Sequence, residues 1–308
     1  MGLGDVENLI PRQMFYLQRV RNFIAKSWKE KMRSVGFHWL RVIPWFPFPM
    51  PMPFGGWWLA ANDACSLMIA NGSFENDEWR FVERFLLPGM TVLDIGAHHG
   101  YYTLLASRKV GYDGRVIAFE PSTRERSRLL RHLRLNRVSN VSVEGIALGS
   151  NPGETDLFLV DGTETGCNSL RPPNVDQPTH CQRVSVQVLD EYLKQRGIQQ
   201  IDFVKLDAEG GELEILRGAF RLLNASHRPV ILVEVQDIRT RPWGYDAKEI
   251  IAFLVVQGFA WYRVPKDGKI ELLSQNLEKY DGNFVAVPKE TEDVFRKKFG
   301  IDAAYKCL

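Results

Sequence analysis

The stretch that decides the fold is Thr91-Val-Leu-Asp-Ile-Gly-Ala-His-His-Gly100, where an apolar run with an acid near its end leads into a turn of small residues. The run has the composition of a buried strand, and a helix-length segment begins near Tyr101. In open α/β sheets, ligands bind at the carboxyl ends of the strands, where small residues let the backbone approach them. The stretch therefore predicts a strand, a ligand-binding turn and a helix. It lacks the GxGxxG spacing that binds a pyrophosphate.

Similar apolar runs recur along the rest of the chain. Six of them lie at 115–120, 141–146, 202–206, 230–235, 259–264 and 284–287. Helix-length segments lie at 76–87, 101–110, 123–135, 211–223 and 247–257. Hydrophobic strands that alternate with helices indicate a mainly parallel sheet covered on both faces, a doubly wound α/β domain. The last two runs are joined by a charged loop, which predicts an antiparallel hairpin at the sheet edge. The segment 153–187 also breaks the alternation, with a strand predicted on either side of a polar loop.

The composition excludes several classes of protein. The 308 residues suffice for one α/β domain with an extension, and 39 basic against 37 acidic residues leave a net charge of +2, so no nucleic-acid partner is expected. The four cysteines lack the spacing of a zinc site, and residues 1–21 lack the apolar core of a secretory signal. We therefore expect a cytoplasmic location. The arginine-rich helix over 123–135 is interpreted as a solvated outer face of the sheet-covering layer.

The N-terminal region differs in composition from the rest. Residues 1–41 combine eight Lys and Arg with three acids, a net charge of +5, and are interleaved with aromatic residues. One or two short helices are expected over 11–41, and five prolines exclude a membrane-spanning helix over 42–62. The favoured interpretation is an extension whose aromatics pack on the core; the alternative is peripheral contact with an anionic membrane surface. We divide the chain into an extension (1–70), a main domain (71–290) and a C-terminal tail (291–308).

Acidic residues follow two of the predicted strands and identify the ligand. Glu120, in Phe119-Glu-Pro121, lies beside the first turn, and its two oxygens can accept hydrogen bonds from both hydroxyls of a ribose. Both NAD and S-adenosylmethionine carry such a ribose. The run Lys205-Leu-Asp-Ala-Glu-Gly-Gly-Glu212 adds Asp207 and Glu209, for which sulfonium and ammonium groups are suitable partners. The structural alternative is that Asp207 caps the following helix, with Glu212 in its first turn.

At this point the sequence resembles the FkbM-type methyltransferases over roughly residues 70–290. The resemblance rests on six motifs whose order and spacing agree: DIGAHHGYYT at 94–103, FEP at 119–121, GIALG at 145–149, NSL at 168–170, VLDEY at 188–192 and KLDAEGGE at 205–212. Two positions depart from the family pattern. His98 stands where Asn is frequent, and Gly211 stands where Ala is usual. Neither departure removes a group that the cofactor would need.

The resemblance implies a class I methyltransferase fold, which is a Rossmann-like three-layer sandwich with a seven-stranded, mainly parallel sheet and an antiparallel C-terminal edge hairpin. It also implies the cofactor S-adenosylmethionine and O-methylation of a sugar, glycolipid or secondary metabolite. Carried over residue by residue, the cofactor site comprises Glu75, Asp94, Gly96, Ala97, Gly100, Glu120, Pro121, Gly145, Ala147, Asp207 and Glu209.

Methyl transfer requires alignment of donor and acceptor, and a hydroxyl acceptor makes a general base useful. The candidates for this base are His98, His99 and Asp207. We expect a small-molecule or glycan acceptor and no metal site. The segment 153–187 and the proline run are expected to contribute to acceptor specificity. Two alternatives stay open: a nicotinamide-dependent oxidoreductase, and a catalytically silent protein on the same fold that binds a membrane or a partner.

Overall fold

The computed structural model describes residues 26–264, 270–273, 277 and 279–301. It divides the chain into two compact units, Met1–Phe74 and Glu75–Leu308. The sequence-based division into residues 1–70, 71–290 and 291–308 stays a prediction. Among the described helices, none is both long and apolar enough to cross a membrane.

The first unit contains two helices and a hairpin. Its elements are α1 Trp28–Val42, β1 Phe48–Pro51, β2 Trp57–Ala60 and α2 Ala64–Asn71. A capping box of Ser27 and Glu30 begins α1, and Gly36 allows the helix to approach the Phe48 ring. The proline run forms the antiparallel pair β1–β2, a ribbon that accepts prolines because it has no central strand. The helix predicted over 11–41 is confirmed from residue 28 onward, whereas residues 11–25 lie outside the described part of the chain.

The second unit holds the α/β domain. Its helices are α3 Asn76–Phe85, α4 Tyr101–Val110, α5 Thr123–Leu135, α6 Leu189–Gln195, α7 Glu212–Arg217, α8 Phe220–Leu223, α9 Asp237–Thr240, α10 Lys248–Val256 and α11 Glu292–Phe299. Its strands are β3 Thr91–Ile95, β4 Arg115–Phe119, β5 Val141–Glu144, β6 Ala147–Leu148, β7 Gly153–Val160, β8 Thr179–Gln187, β9 Phe203–Leu206, β10 Val230–Gln236, β11 Phe259–Arg263, β12 Glu271–Leu272 and β13 Asp281–Pro288.

Over the described residues, eight strands form the main sheet, in the order β5-β4-β3-β9-β10-β13-β11-β12. Strands β5, β4, β3, β9 and β10 are parallel, and β13 runs antiparallel to both of its neighbours. The predicted class I architecture is confirmed, but the count of seven strands is wrong. The additional strand, β12, has two exposed residues, too few to form an apolar run. The predicted antiparallel pairing of the last two apolar runs is confirmed, and within the sheet β13 lies between β10 and β11.

Helices cover both faces of this sheet because successive strand residues point to opposite sides. In β9, the ring of Phe203 packs against Phe81 and Phe85 of α3. The next residue, Val204, joins the core cluster formed with α6, α7, α8 and α10. Helix α11 adds Phe295 to the α3 side, where its ring meets Phe81. The sheet is therefore the middle of three layers.

The segment 153–187 forms a separate small sheet. Strands β7 and β8 are antiparallel, and β6 joins β8 in parallel, which gives the order β6-β8-β7. The two strands predicted in this segment are confirmed as β7 and β8. The helix predicted over 211–223 is interrupted after Arg217, because Gly218 packs directly on the backbone of Gly149.

Candidate active site

The first turn is built at the carboxyl end of β3. Gly96 has a φ of +80°, and a Cβ there would collide with the carbonyl oxygen of Asp207. The amides of Gly96 and Ala97 donate to the carbonyl of Phe119, at 3.1 and 3.0 Å. Gly100, with a φ of +90°, begins α4. The turn thus lies between the ends of β4 and β9, the two strands that supply the predicted acids.

Asp94 is a buried carboxyl group one residue before the end of β3. Its Oδ2 accepts a hydrogen bond of 2.5 Å from the Thr103 hydroxyl on α4. Burial raises the pKa of Asp94 to about 6, against the lowering effect of this bond. The site therefore contains a carboxyl that a nearby cation would favour in its ionised form.

Glu120 follows β4 and is buried, as the strand-end position predicts. Its Oε2 accepts from the amide of His98 at 2.7 Å, and its Oε1 accepts from the amide of Ser122 at 2.9 Å. Burial raises the pKa of Glu120 to about 8, although both amide bonds lower it. The carboxylate is fixed in orientation, and each oxygen retains a further lone pair for a ligand hydroxyl.

Arg126 holds the turn that contains Glu120. Its Nη1 donates to the carbonyl oxygens of Glu120 and Pro121, at 2.8 and 2.9 Å. Gly145 lies against the same guanidinium, because a Cβ at Gly145 would be 2.7 Å from Arg126 Cζ. The interpretation of this arginine-rich helix as a solvated outer face is therefore wrong for Arg126, which reaches inward to the end of β4. Ala147, also in the predicted cofactor site, begins strand β6 and is buried.

His98 and His99 occupy different environments although their rings stack with centroids 3.6 Å apart. His98 has a φ of +50°, and its Nε2 lies 3.0 Å from the hydroxyl of Thr165, in the segment between β7 and β8. His99 is fully buried, and its Nε2 lies 2.8 Å from Glu125 Oε2 and 3.1 Å from Arg128 Nη1. Burial, assisted by Arg128, holds the pKa of His99 well below its usual range. The enclosure of His99 favours a structural role over general-base catalysis.

Asp207 is paired with a buried lysine that sequence reasoning missed. Lys205 Nζ lies 2.9 Å from Asp207 Oδ2, donates to Asn283 Oδ1 on β13 at 3.0 Å, and is 5.3 Å from the centroid of the Tyr102 ring. Burial opposes the charged form, yet Asp207 and Glu75 raise the pKa of Lys205 above its usual value. A lysine inside the apolar run Phe203–Leu206 was the signal for this pair, since a buried charge needs a partner.

Glu75 also faces this lysine. The Tyr102 hydroxyl donates to Glu75 Oε2 over 2.5 Å, and burial raises the pKa of Glu75 to about 7, while the charge of Lys205 lowers it. Glu75 has a φ of +37° and precedes α3 without capping it by its side chain. The structure thus brings Glu75 and Asp207 together around Lys205.

Glu209 is held in a left-handed conformation, with a φ of +51°, by contacts from two other segments. Its Oε2 lies 2.8 Å from Arg239 Nε. Its carbonyl oxygen accepts from the Ser169 hydroxyl at 2.8 Å and from Trp243 Nε1 at 3.2 Å. Burial raises the pKa of Glu209 to about 8, with Arg239 acting against it and Asp207 in the same direction. Strained backbone that several contacts maintain is typical of functional sites.

The helix after β9 is capped differently from the structural alternative proposed for Asp207. The Asp207 carboxylate pairs with Lys205, and the helix begins after Gly211 without a side-chain cap. Glu212 instead turns back, and its Oε1 accepts from the amides of Ala208 and Gly210, at 2.7 and 3.2 Å. The prediction that Asp207 is the cap is therefore wrong, whereas Glu212 does lie in the first turn.

Among the described residues, two groups of potential metal-ligating side chains have their ligand atoms within 4.8 Å of one another: His98, His99 and Glu125, and Asp207, Glu209 and Glu234. In the second group, Lys205 and Arg239 already supply positive charge to Asp207 and Glu209. Burial, followed by the charge of Asp207, raises the pKa of Glu234 well above its usual range. The expectation that the protein has no metal site stays a prediction.

The raised carboxyl pKa values predict how stability depends on pH. The pKa is about 7 for Glu75 and Glu212, and about 8 for Glu120 and Glu209. Between the unfolded values and these values the folded state binds more protons, so the free energy of unfolding falls as pH rises. Between pH 6.5 and 8.5, we expect the protein without ligand to lose at least about 1 kcal/mol, measured by urea unfolding.

His99, whose pKa is lowered, would make the free energy of unfolding rise with pH, but it would do so below this window. The Glu75→Gln variant keeps an acceptor for Tyr102 and should show a shallower decline. The exposed Glu191→Gln should reproduce the slope of the unchanged protein. A free energy of unfolding that is constant or rises over the window would contradict the assigned protonation states.

A doubly wound α/β fold with acidic strand ends around a glycine turn defines the class as a class I methyltransferase fold. The family model described as "Methyltransferase FkbM domain" matches residues 94–260, more than half of the chain. The chain belongs to this FkbM methyltransferase family, as the six motifs predicted.

The individual relatives named below share less than 30% sequence identity with this chain. "Methyltransferase 1" of Beauveria bassiana is 27% identical over 147 residues, covering 41% of this chain and 57% of the relative. The "AMB antimetabolite synthetase AmbE" of Pseudomonas aeruginosa is 29% identical over 188 residues, which are 50% of this chain and 9% of that protein. The crystal structure of methyltransferase FkbM from Methylobacillus flagellatus has a TM-score of 0.41 and 17% identity, covering 74% of this chain and 56% of that chain. The chain therefore spans less than two thirds of each.

Proposed function

We propose that the protein transfers the methyl group of S-adenosylmethionine to a hydroxyl of a sugar, glycolipid or secondary metabolite. The observation that carries this proposal is the meeting of acidic strand ends at the Gly96 turn. Gly96 touches the backbone of Asp207 and donates to the carbonyl of Phe119, the residue before Glu120. Family membership supports methyl transfer as the reaction.

The residues present fit this cofactor. Glu120 offers two oriented oxygens for the ribose hydroxyls. The missing side chain at Gly96 lets the backbone at the end of β9 lie against the first turn. The carboxyl groups with raised pKa values outnumber the cations that lower these values: Lys205 acts on Glu75, Asp94 and Glu209, Arg239 on Glu209, and Arg126 on Glu120. Such an excess of acid suits a ligand that brings positive charge.

When bound, S-adenosylmethionine supplies an electrophilic methyl group on a sulfonium, and the protein has to orient the two reactants. Glu120 would hold the ribose, Asp94, Gly96 and Gly100 would shape the methionine end, and the acids after β9 would stabilise positive charge beside the reacting centre. The acceptor proton must pass to a base. His98 and Asp207 remain the candidates, because each is only partly buried, whereas His99 is enclosed.

The segment between β7 and β8 has contacts that suit a wall of the acceptor site. Thr165 contacts His98, Ser169 contacts Glu209, and Cys167 Sγ accepts from Arg239 at 3.2 Å. We therefore propose that this segment selects the acceptor, which is a small molecule or a glycan. The described cysteines carry free thiols, which supports a reducing, cytoplasmic location.

Calorimetry with S-adenosylmethionine, S-adenosylhomocysteine and NAD tests the proposal. We expect both adenosyl sulfur compounds to bind with a dissociation constant in the micromolar range, and NAD to bind at least about 100-fold more weakly. Preferential binding of NAD would instead establish the oxidoreductase alternative. Transfer of labelled methyl groups to extracts fractionated into glycans, lipids and small metabolites would identify the acceptor. Binding without transfer to any fraction would favour the catalytically silent alternative.

A further inference from the structure

The first unit carries an exposed apolar surface, and its residues are not among those described for the candidate active site. On α1, Trp28, Val35 and Val42 are spaced by seven residues, so they lie on one side of the helix with a drift of about 20° per heptad. They are 57%, 45% and 72% exposed. Immediately after the helix, Trp45 and Phe46 are 78% and 60% exposed. We name these five residues the aromatic rim.

The aromatic rim is held in place by the packing beneath it. The indole nitrogen of Trp39 donates to the carbonyl of Phe46 at 3.0 Å, and the Trp39 ring lies 6.2 Å from that of Phe46. Buried Leu40 and Gly36 fix the opposite side of α1 within the unit. The contacts with Trp39 hold Phe46 at the surface, so the exposure of this large apolar side chain follows from the packing of the unit.

Positive charge surrounds the aromatic rim. Over the described residues of the unit, 26–74, five Lys and Arg residues accompany only two acids, a net charge of +3. One of those acids, Asp63, is buried and caps α2. Lys31 lies between Trp28 and Val35 along the same side of α1, and Arg41 adjoins Val42. No charged residue occurs from 42 to 62. The basic residues next to the aromatic rim are therefore those of α1, Lys31 and Arg41.

We propose that the aromatic rim inserts into the headgroup region of an anionic lipid membrane. Tryptophan favours that region because its ring is apolar and its N–H is polar. Basic residues beside an apolar face add attraction to anionic lipids. A second copy of the chain would instead bring like charges together. Contact would be peripheral, and this inference stands independently of the proposed methyl transfer.

Co-sedimentation of the full-length chain with vesicles tests this proposal. We expect binding to phosphatidylcholine vesicles that contain 30% phosphatidylserine, and binding at least about fivefold weaker to pure phosphatidylcholine. The double variant Trp45→Ala/Phe46→Ala should lower the partition coefficient for anionic vesicles by at least about tenfold. Lys31→Gln/Arg41→Gln should lower it similarly, at about fivefold per charge, and 0.5 M salt should reproduce that loss.

A matched control removes equally exposed apolar groups elsewhere. Phe220 and Val256 of the second unit are 57% and 82% exposed, and Phe220→Ala/Val256→Ala should bind vesicles like the unchanged protein. Equal losses in both double variants, or no loss in either, would overturn the proposal. Sedimentation velocity without lipid tests the alternative that a second copy of the chain binds the aromatic rim. A dimer that dissociates only in Trp45→Ala/Phe46→Ala would establish that alternative.

Discussion

Replacing Glu120 with alanine is expected to weaken the binding of S-adenosylmethionine by at least about 100-fold. Two hydrogen bonds from ribose hydroxyls to a carboxylate would be lost, each worth about 1.5–3 kcal/mol when the acceptor is charged. The amides of His98 and Ser122, which donate to Glu120 at 2.7 and 2.9 Å, would also lose their acceptor. The turn that presents the carboxylate would then be less ordered. Isothermal calorimetry with the cofactor measures the effect directly.

The matched control is Glu191→Ala, which removes an exposed carboxylate on α6 and should leave the affinity within about twofold. Glutamine is not a neutral replacement at position 120. Both carboxylate oxygens accept backbone N–H groups, so an amide nitrogen would face one of those donors. We expect Glu120→Gln to bind poorly as well. Cofactor affinity unchanged in Glu120→Ala, with the fold intact by circular dichroism, would remove the ribose assignment.

The Gly96→Ala variant is expected to lose at least about 2 kcal/mol of stability together with measurable cofactor binding. Two costs add at this position. A residue with a side chain pays about 1–2 kcal/mol in the left-handed region, and overpacking a rigid contact adds about 1–3 kcal/mol. The atom that the new Cβ would meet is the carbonyl oxygen of Asp207, which belongs to the backbone and cannot rotate away. Urea unfolding and calorimetry measure the two losses separately.

Gly111→Ala separates the conformational cost from the collision. Gly111 has a φ of +68°, and nothing lies within 4 Å of a Cβ built there. It should lose only the cost of the left-handed region, about 1–2 kcal/mol, and keep cofactor affinity. Equal losses in the two variants would show that the contact between the first turn and the end of β9 is unimportant.

Strands β3 and β4 were predictable from sequence because each forms a dense apolar run that ends in a turn or an acid. Strands β1 and β2 of the proline run escaped prediction, as did β6 and β12. Strands β6 and β12 have two residues each, too few to form a recognisable apolar run. The position of β13 between β10 and β11 could not be predicted either, since an apolar run does not indicate which strands it will pair with. The break after α7 arises from the contact of Gly218 with Gly149, far away in the sequence.

In the candidate site, the acids were found and most of their partners were not. Glu120, Asp207 and Glu209 stand at strand ends, which sequence alone can recognise. Lys205 gave a signal as a charge within an apolar strand, but its second partner, Asn283, lies 78 residues away. Arg239 and Ser169 come from segments that no periodicity connects to Glu209.

The sequence by itself determined the strand, turn and helix around Asp94, the acids that follow the parallel strands in chain order, and the family. These features depend on local composition and on the rule that parallel strands present their carboxyl ends at one edge. Tertiary structure alone decided the partners and the protonation of those acids. A pKa depends on burial and on charges that meet only after folding, so Glu120 and Glu209 reach about 8 while the sequence presents them as ordinary glutamates.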